Sequence, residues 1–480
     1  MDKLFTTAEY AGITNTDDGA GGYQLFQSLY TDAQSQFFAC TQFRFPSDRN
    51  VMVGSWLDGG WGAFMKGATT LAQILQQTGP ASPSPNPVRE AVAKIWKVYI
   101  YMPITDMFGP IPYSEVGTGK AFITYDSQEA IYDDFFTSLA EATTVISQNL
   151  DRGTVFEEGD VIYGGDLAKW LKLGNTLRLR AAIRVSLKVP AKAKTEAEAA
   201  YAAAGGMITT NDDNAFMQTT PPTYLNPLGV ISDWGEFRMS ASMQSILQGY
   251  ADPRLPKYFE PTENNASVWK GDRNGMTIEQ MSDSWNSNEN NSNVVPRFRN
   301  AFNTTEPHGL VMAAETWFLL AEAVVNGYSM GGLTAKECYE NGIKASMAQW
   351  GVTTGVDAYI ASGNTPAALN DHYNTPALSD IPVAFGSTEA VQREQIGTQK
   401  WLGLYPSSSP EAWAEFRRTG FPKLYPRLNN DNPDASTDAA SVKRCVFPPN
   451  ESIVNAEGYQ SGVTALGGPD KTSTRVWWNQ

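Results

Sequence analysis

With 51 acidic residues but two histidines and three cysteines, the chain offers few places for side-chain chemistry beyond the carboxylate. His308 and His372 have no partner at metal-ligand spacing, so HExxH zinc sites and histidine-rich centres are absent, and both read as exposed loop residues. Cys40, Cys338 and Cys445 are scattered singly and cannot form a dense disulfide framework. They read as buried free thiols, with one chance bridge left open. No G-x-S-x-G elbow, Walker A loop or helix-opening G-x-G-x-x-G occurs, so nucleotide and dinucleotide binding lack support. Glycoside hydrolysis needs only two carboxylates across the scissile bond, but among so many acids a candidate pair means little. The oxygen-rich runs NTDDG at 15–19 and TNDDNA at 210–215 do not match a twelve-residue EF-hand loop and read as turns. No metal or cofactor is expected.

What the sequence does supply is aromatic surface. Thirteen Trp, 20 Tyr and 22 Phe accompany loops rich in Asn, Gly, Ser and Thr, the mixture expected where sugar rings stack on aromatic faces and hydroxyls meet amides and carboxylates. Trp56 and Trp61 lie in RFPSDRNVMVGSWLDGGWGAF, among Gly, Ser and Asp, where helical burial is hard to arrange. Trp269 in NNASVWKGDRNGM and Trp285 in SDSWNSNENNSNVVPRF also stand in polar loop sequence. These four are the expected sugar platforms, with Arg44, Asp48, Asp58, Asn286 and Asn290 orienting hydroxyls. The competing reading folds each indole back onto the helices as a loop anchor. Trp96, Trp170, Trp317 and Trp350 instead fall on apolar helical stripes and read as core.

The elements that must position these residues are mainly helical. At 42% hydrophobic and 18% charged residues, the chain can build a core. Its net charge of −15 repels phosphate backbones, which makes nucleic acid a poor partner. No apolar run reaches the roughly 18 residues of a spanning helix. MDKLFTTAEY has no signal-peptide pattern, so the protein is either cytosolic or has lost its leader.

Helical periods recur at Tyr23, Phe26, Leu29 and Tyr30, running towards Phe37, and at Val92 to Met102, stopping near Pro103. A further stripe is Ile131, Phe135, Leu139, Ala142 and Ile146, capped by Asp126 or Ser127. Asp166 caps the next helix, whose Lys169, Lys172, Arg178, Arg180 and Arg184 read as a solvated or paired face. An alanine-rich helix ends at Gly205 and Gly206. Residues 207–306 change to long loops or small hairpins, apart from SASMQSILQGY. Helices return around Trp317 to Val325, Tyr339 to Trp350, 389–404 and 410–418. The result is a mostly α architecture of stacked helix pairs without a clean 34-residue repeat.

Several of these segments, in order, resemble one family. IWKVYIYMPITDMFGPIPYSEV resembles the SusD/RagB signature in which a helix ends in FG-x-(I/V)-P-(Y/L). YDSQEAIYDDFFTSLAEAT, GDLAKWLKLGNTLRLRAAIRVS and AETWFLLAEAVVNG resemble its later helices. QKWLGLYPSSSPEAWAEFRRTGFPKL, KRCVFPPNESIVNAEGY and the closing TSTRVWWNQ are similar to its final stretch. The resemblance implies one domain over 1–480, with tetratricopeptide-like helix pairs forming a superhelical scaffold at about 20–205 and 310–420. A loop-rich, variable cap over about 207–306 would complete it.

The resemblance further implies a non-enzymatic receptor for oligosaccharide or polysaccharide, working beside a SusC-like TonB-dependent transporter as an outward-facing lipoprotein of the outer membrane. A RagB-like peptide receptor, a helical glycosidase and a cytosolic scaffold are the alternatives. Cys40 falls too deep in a helical stretch to carry the lipid, so the chain is expected to begin after its anchor. The family has no invariant ligand motif, so the site residues rest on loop chemistry alone.

Overall fold

The computed structural model describes residues 1–13 and 22–480; the NTDDG run lies outside the described residues. The scaffold is helical: α1 (Asp2–Ala11), α2 (Gly54–Thr78), α3 (Pro87–Phe108), α4 (Gln128–Ser147), α5 (Leu167–Arg184) and α6 (Pro190–Ala202). After the loop-rich region come α7 (Ala313–Val325), α8 (Ala335–Gln349), α9 (Glu389–Leu404), α10 (Ser409–Thr419) and α11 (Ala456–Leu466). Each of α2 to α5 packs on the next helix, α5 packs on α6, and α7 touches both α8 and α9. Contacts of α5 with α7, and of α10 with α3, join the early and late blocks into one core.

Local chemistry starts and stops these helices. Asn86 accepts from the Arg89 N–H with Pro87 at the first helical position, Ser127 accepts from Ala130, and Asp166 accepts from Ala168 and Lys169. Thr334 and Glu337 form a capping box, and Gly420 ends α10 with φ of 77°. The stripe of α4 (Ile131, Phe135, Leu139, Ala142 and Ile146) is wholly buried, as are Trp96, Trp170 and Trp350. Trp317 is partly buried and donates its indole N–H to the Thr209 carbonyl.

Four readings of the sequence need correction. First, α3 does not stop at Pro103 but runs to Phe108, where Gly109 takes φ of 84°. A mid-helix proline costs about 3 kcal/mol or more, but the turn beyond it buries Met107 and Phe108, and Gln128 Nε2 donates to the Thr105 carbonyl at 2.6 Å. Second, the glycine-rich segment holding Trp56 and Trp61 is not a loop but the first turns of the 25-residue α2. Its glycines serve close packing: a Cβ on Gly60 would stand 2.4 Å from the Phe26 ring. Third, His308 is buried in the strand His308–Val311, paired antiparallel with Ala215–Met217, and burial pushes its imidazole down to about 4. Fourth, Cys40 ends the strand Phe38–Cys40, paired with Phe237–Met239, rather than lying in a helix. All three thiols are free and buried.

The basic face of α5 is paired, not solvated. Arg184 is fully buried and donates to Asp106 at 3.1 Å, Glu411 at 2.5 Å and Glu415. Lys400 bridges Glu411 and Glu415, and Arg418 bridges Glu415 and Glu322. Arg180 holds Glu315 through two donors at 2.6 and 2.7 Å. Burial pushes the Glu415 carboxyl up, but Arg418, Lys400 and Arg184 together outweigh it and hold the group well below its usual range. This network ties α3, α5, α7, α9 and α10 together through buried side chains.

Candidate functional site

The loop-rich region forms a cap built from short turns pinned by side chains. Asp48, 1% exposed, accepts from Asn274 Nδ2 at 2.7 Å and from the Gly275 N–H at 2.9 Å, fixing the loop that carries Lys270 and Arg273. Gly275 has φ of 79°, and a Cβ there would meet the Asn429 carbonyl at 2.8 Å, so only glycine fits. Next comes the short helix Ile278–Ser282, opened by a Thr277/Gln280 capping box. Asn286 Nδ2 donates to the Gln280 carbonyl at 2.8 Å, closing this helix onto the turn Ser284–Asn286.

That turn presents Trp285. Its backbone N–H is accepted by Asp283 at 2.9 Å, and Lys270 Nζ donates to its carbonyl at 2.6 Å while lying 4.6 Å from the ring centroid. The indole stacks on the imidazole of His372, with centroids 4.5 Å apart and planes 27° apart. The Asp283 carboxylate lies 3.8 Å from His372 Nδ1. Asp371 fixes the opposite turn, accepting from the Tyr373 and Thr375 N–H groups at 3.1 and 2.9 Å and from the Thr375 hydroxyl at 2.6 Å. The His372 side chain is 57% exposed and Tyr373 38% exposed, while Trp285 is half-buried, so the stack turns its imidazole towards solvent. Arg273 anchors this turn by donating to Thr375 Oγ1 at 2.7 Å, its guanidinium 5.0 Å from the Tyr425 ring.

The Trp285–His372 stack, with exposed Tyr373 next to His372 in the chain, makes an aromatic crown; Asp283 and Asp371 hold its turns and buried Lys270 lies against the indole. Exposed rings next to carboxylates can stack on one face of a pyranose and hydrogen-bond its hydroxyls, whereas the buried Lys270 ammonium is spent on the Trp285 carbonyl and Asn291. Burial pushes the Lys270 ammonium below its ordinary value, with Asp272, Asp283 and Asp371 opposing. Burial likewise pushes the Asp272 carboxyl up to about 7, against Lys270 and Arg238.

The other residues singled out from the sequence lie elsewhere. Trp61 is 5% exposed and packs against Phe64, Phe108 and Tyr125, with an edge lining a small cavity beside Met65 and Pro112; Asp48 is interior. Trp56 is half-buried beside Tyr30 and Phe45. Trp269 is half-buried and spends its indole N–H on the Phe259 carbonyl at 3.0 Å, which makes it a loop anchor. Asp58 accepts from the Asn450 N–H at 2.9 Å, away from the crown. Arg44 is exposed and paired with Glu236. Asn286 and Asn290 frame the Trp285 turn, Asn290 donating to the Ser284 carbonyl at 2.7 Å and accepting from Asn264 at 2.9 Å. His372 and Tyr373 were missed; their signal is the NDHYN run, an Asp-initiated turn carrying two adjacent rings. Among the described residues no group of three or more His, Cys, Asp or Glu is arranged to hold a metal ion. TNDDNA contains a 3-10 turn whose Asp213 pairs with Lys172 at 2.7 Å.

The chain belongs to the SusD-like family: the family model described as SusD and RagB outer membrane lipoprotein matches residues 3–479. Among solved structures it is similar to a chitin-binding SusD homologue from Flavobacterium johnsoniae, with 35% identity and a TM-score of 0.90, over 100% of this chain and 98% of that one. A SusD homologue from Bacteroides uniformis matches with 33% identity and a TM-score of 0.87, over 100% and 99% of the two chains. One from Bacteroides vulgatus matches with 30% identity and a TM-score of 0.88, over 99% and 97%. No curated protein matches. Among the described residues, no helix is long and apolar enough to cross a membrane.

Proposed function

We propose that the protein captures an oligosaccharide on the crown of Trp285, His372 and Tyr373 and passes it unbroken to a SusC-like TonB-dependent transporter. The carrying observation is the stack itself: an exposed imidazole seated on a half-buried indole, each on a turn fixed by Asp283 or Asp371. Preorganised rings lose little freedom on binding, so stacking supplies most of the affinity. Family membership supports display on the outer membrane by a lipid anchor, and the chitin-binding relative supports a glycan, with β-linked N-acetylglucosamine oligomers the first to test. In this reading the whole chain acts as one domain, since Asp48 and Asn274, 226 positions apart, are hydrogen-bonded. Of the residues chosen from sequence, Trp285 contacts the sugar, Asn286 and Asn290 hold its turn, and Arg44 pairs with Glu236.

Calorimetric titration with chito-oligosaccharides tests the assignment. Trp285→Ala is expected to weaken binding about tenfold, given aromatic stacking of order 0.5–1.5 kcal/mol beyond the buried area. Binding of a peptide panel with silence towards all glycans would reassign the site to peptides. New reducing ends from incubated polysaccharide would make the protein a hydrolase instead.

A further inference from the structure

Beyond the crown, Trp234 and Phe302 are 45% and 64% exposed. Neither ring hangs on a loose tip. Trp234 closes the helix Pro227–Asp233, and the Asp233 carboxylate accepts from the Asn300 and Ala301 N–H groups at 2.5 and 2.9 Å, clamping the Phe302 turn to the Trp234 turn. Asn300 takes φ of 61° and accepts from Asn303 Nδ2 at 2.6 Å, which sets the direction of the Phe302 turn.

This pair is continuous with the crown. Asn288, three residues after Trp285, donates to the Gly235 carbonyl at 3.1 Å. Buried Arg238 ties the same two segments from below, donating to the Gly235 carbonyl at 3.2 Å and the Asn288 carbonyl at 3.4 Å. Three residues span at most about 10 Å, so one hydrogen-bonded frame carries the Trp285 turn and the Trp234 turn side by side. The turns that carry the two ring groups are built with Asn288, Asn290, Asn300 and Asn303. Two groups of flat apolar faces held on one frame suit a linear glycan, whose repeats offer C–H faces in turn.

We propose that Trp234 and Phe302 form a second sugar subsite, occupied by the distal residues of a glycan whose near end sits on the crown. The assignment rests on the glycan reading above and deepens it: the protein selects for chain length. Short oligomers reach only the crown, while longer ones also engage the second pair.

The test is calorimetry with chitobiose and chitohexaose, and with cello- and laminari-oligosaccharides of the same two lengths. Wild type is compared with Trp234→Ala, Phe302→Ala and Trp285→Ala. Both new positions are exposed, so the variants should fold; circular dichroism and a melting curve check this. Trp234→Ala and Phe302→Ala should each weaken the bound hexaose roughly threefold to tenfold and leave the matching short oligomer unchanged. Trp285→Ala should weaken both lengths. Glycan binding lost in Trp285→Ala but untouched at both lengths by Trp234→Ala and Phe302→Ala would overturn the second subsite and leave the receptor reading standing. Equal losses at both lengths would also overturn it. Wild-type silence towards every oligomer would overturn both.

Discussion

Replacing Asp272 with asparagine isolates the electrostatic load beneath the crown. Asp272 is buried, and the groups facing it are Lys270, Arg238 and Asp48. Burial raises its carboxyl from 3.8 to about 7, so between those values the folded protein holds a proton that the unfolded chain has released. Stability therefore falls as pH rises from about 4 to about 7 and is level above that. The full cost of the displacement is about 4 kcal/mol at 1.36 kcal/mol per pH unit. Asparagine keeps the shape and never ionises, but Lys270 and Arg238 then lose a counter-charge, which offsets part of the gain. A net stabilisation of about 1–2 kcal/mol is expected at pH 8, fading to zero or below by pH 4.5, where the wild-type carboxyl is already neutral. Urea unfolding of wild type and Asp272→Asn at both pH values measures this. Comparing the two proteins at each pH cancels shared contributions such as Glu415, whose lowered carboxyl acts with the opposite sign and loses stability as pH falls. The same stability difference at both pH values would refute the account of Asp272 as a destabilising buried anion.

Two further substitutions probe the scaffold. Arg184→Ala would strand Asp106, Glu411 and Glu415 without their shared guanidinium; a loss of about 3–5 kcal/mol is expected, seen as a large drop in melting temperature or in soluble yield. Gly60→Ala places a methyl 2.4 Å from the Phe26 ring; urea unfolding should report a loss of about 1–3 kcal/mol, where Gly62→Ala, with open space around it, should be neutral or slightly stabilising.

The helices were legible because their signals are local. Ser127 and Asp166 cap where the sequence predicts, and the α4 stripe faces inward along its length. Failures arose where tertiary contacts outweighed local preference. Gly59 and Gly60 mark a loop by propensity, yet they let α2 approach Leu25 and Phe26. Pro103 breaks helices in isolation, but the buried turn behind it holds α3 together. Asp48 looks like a surface acid and works as an internal clamp, because two donors from a loop more than two hundred positions away reach its carboxylate.

The crown illustrates a different limit. Trp285 could be chosen from composition because its neighbours are polar, but nothing nearby in sequence distinguishes it from Trp269, whose indole N–H is spent on a backbone carbonyl. What separates them is the presence of His372 across the stack, and that contact exists only after Asp283 and Asp371 have set their two turns. Ring composition in the cap can therefore change without disturbing helix burial, because the clamps are carboxylate-to-backbone bonds indifferent to which side chain the turn carries. On this view, substituting Tyr373 or His372 should alter ligand choice with little effect on stability, whereas removing Asp371, which accepts from two N–H groups and a hydroxyl, should loosen the turn that presents both rings.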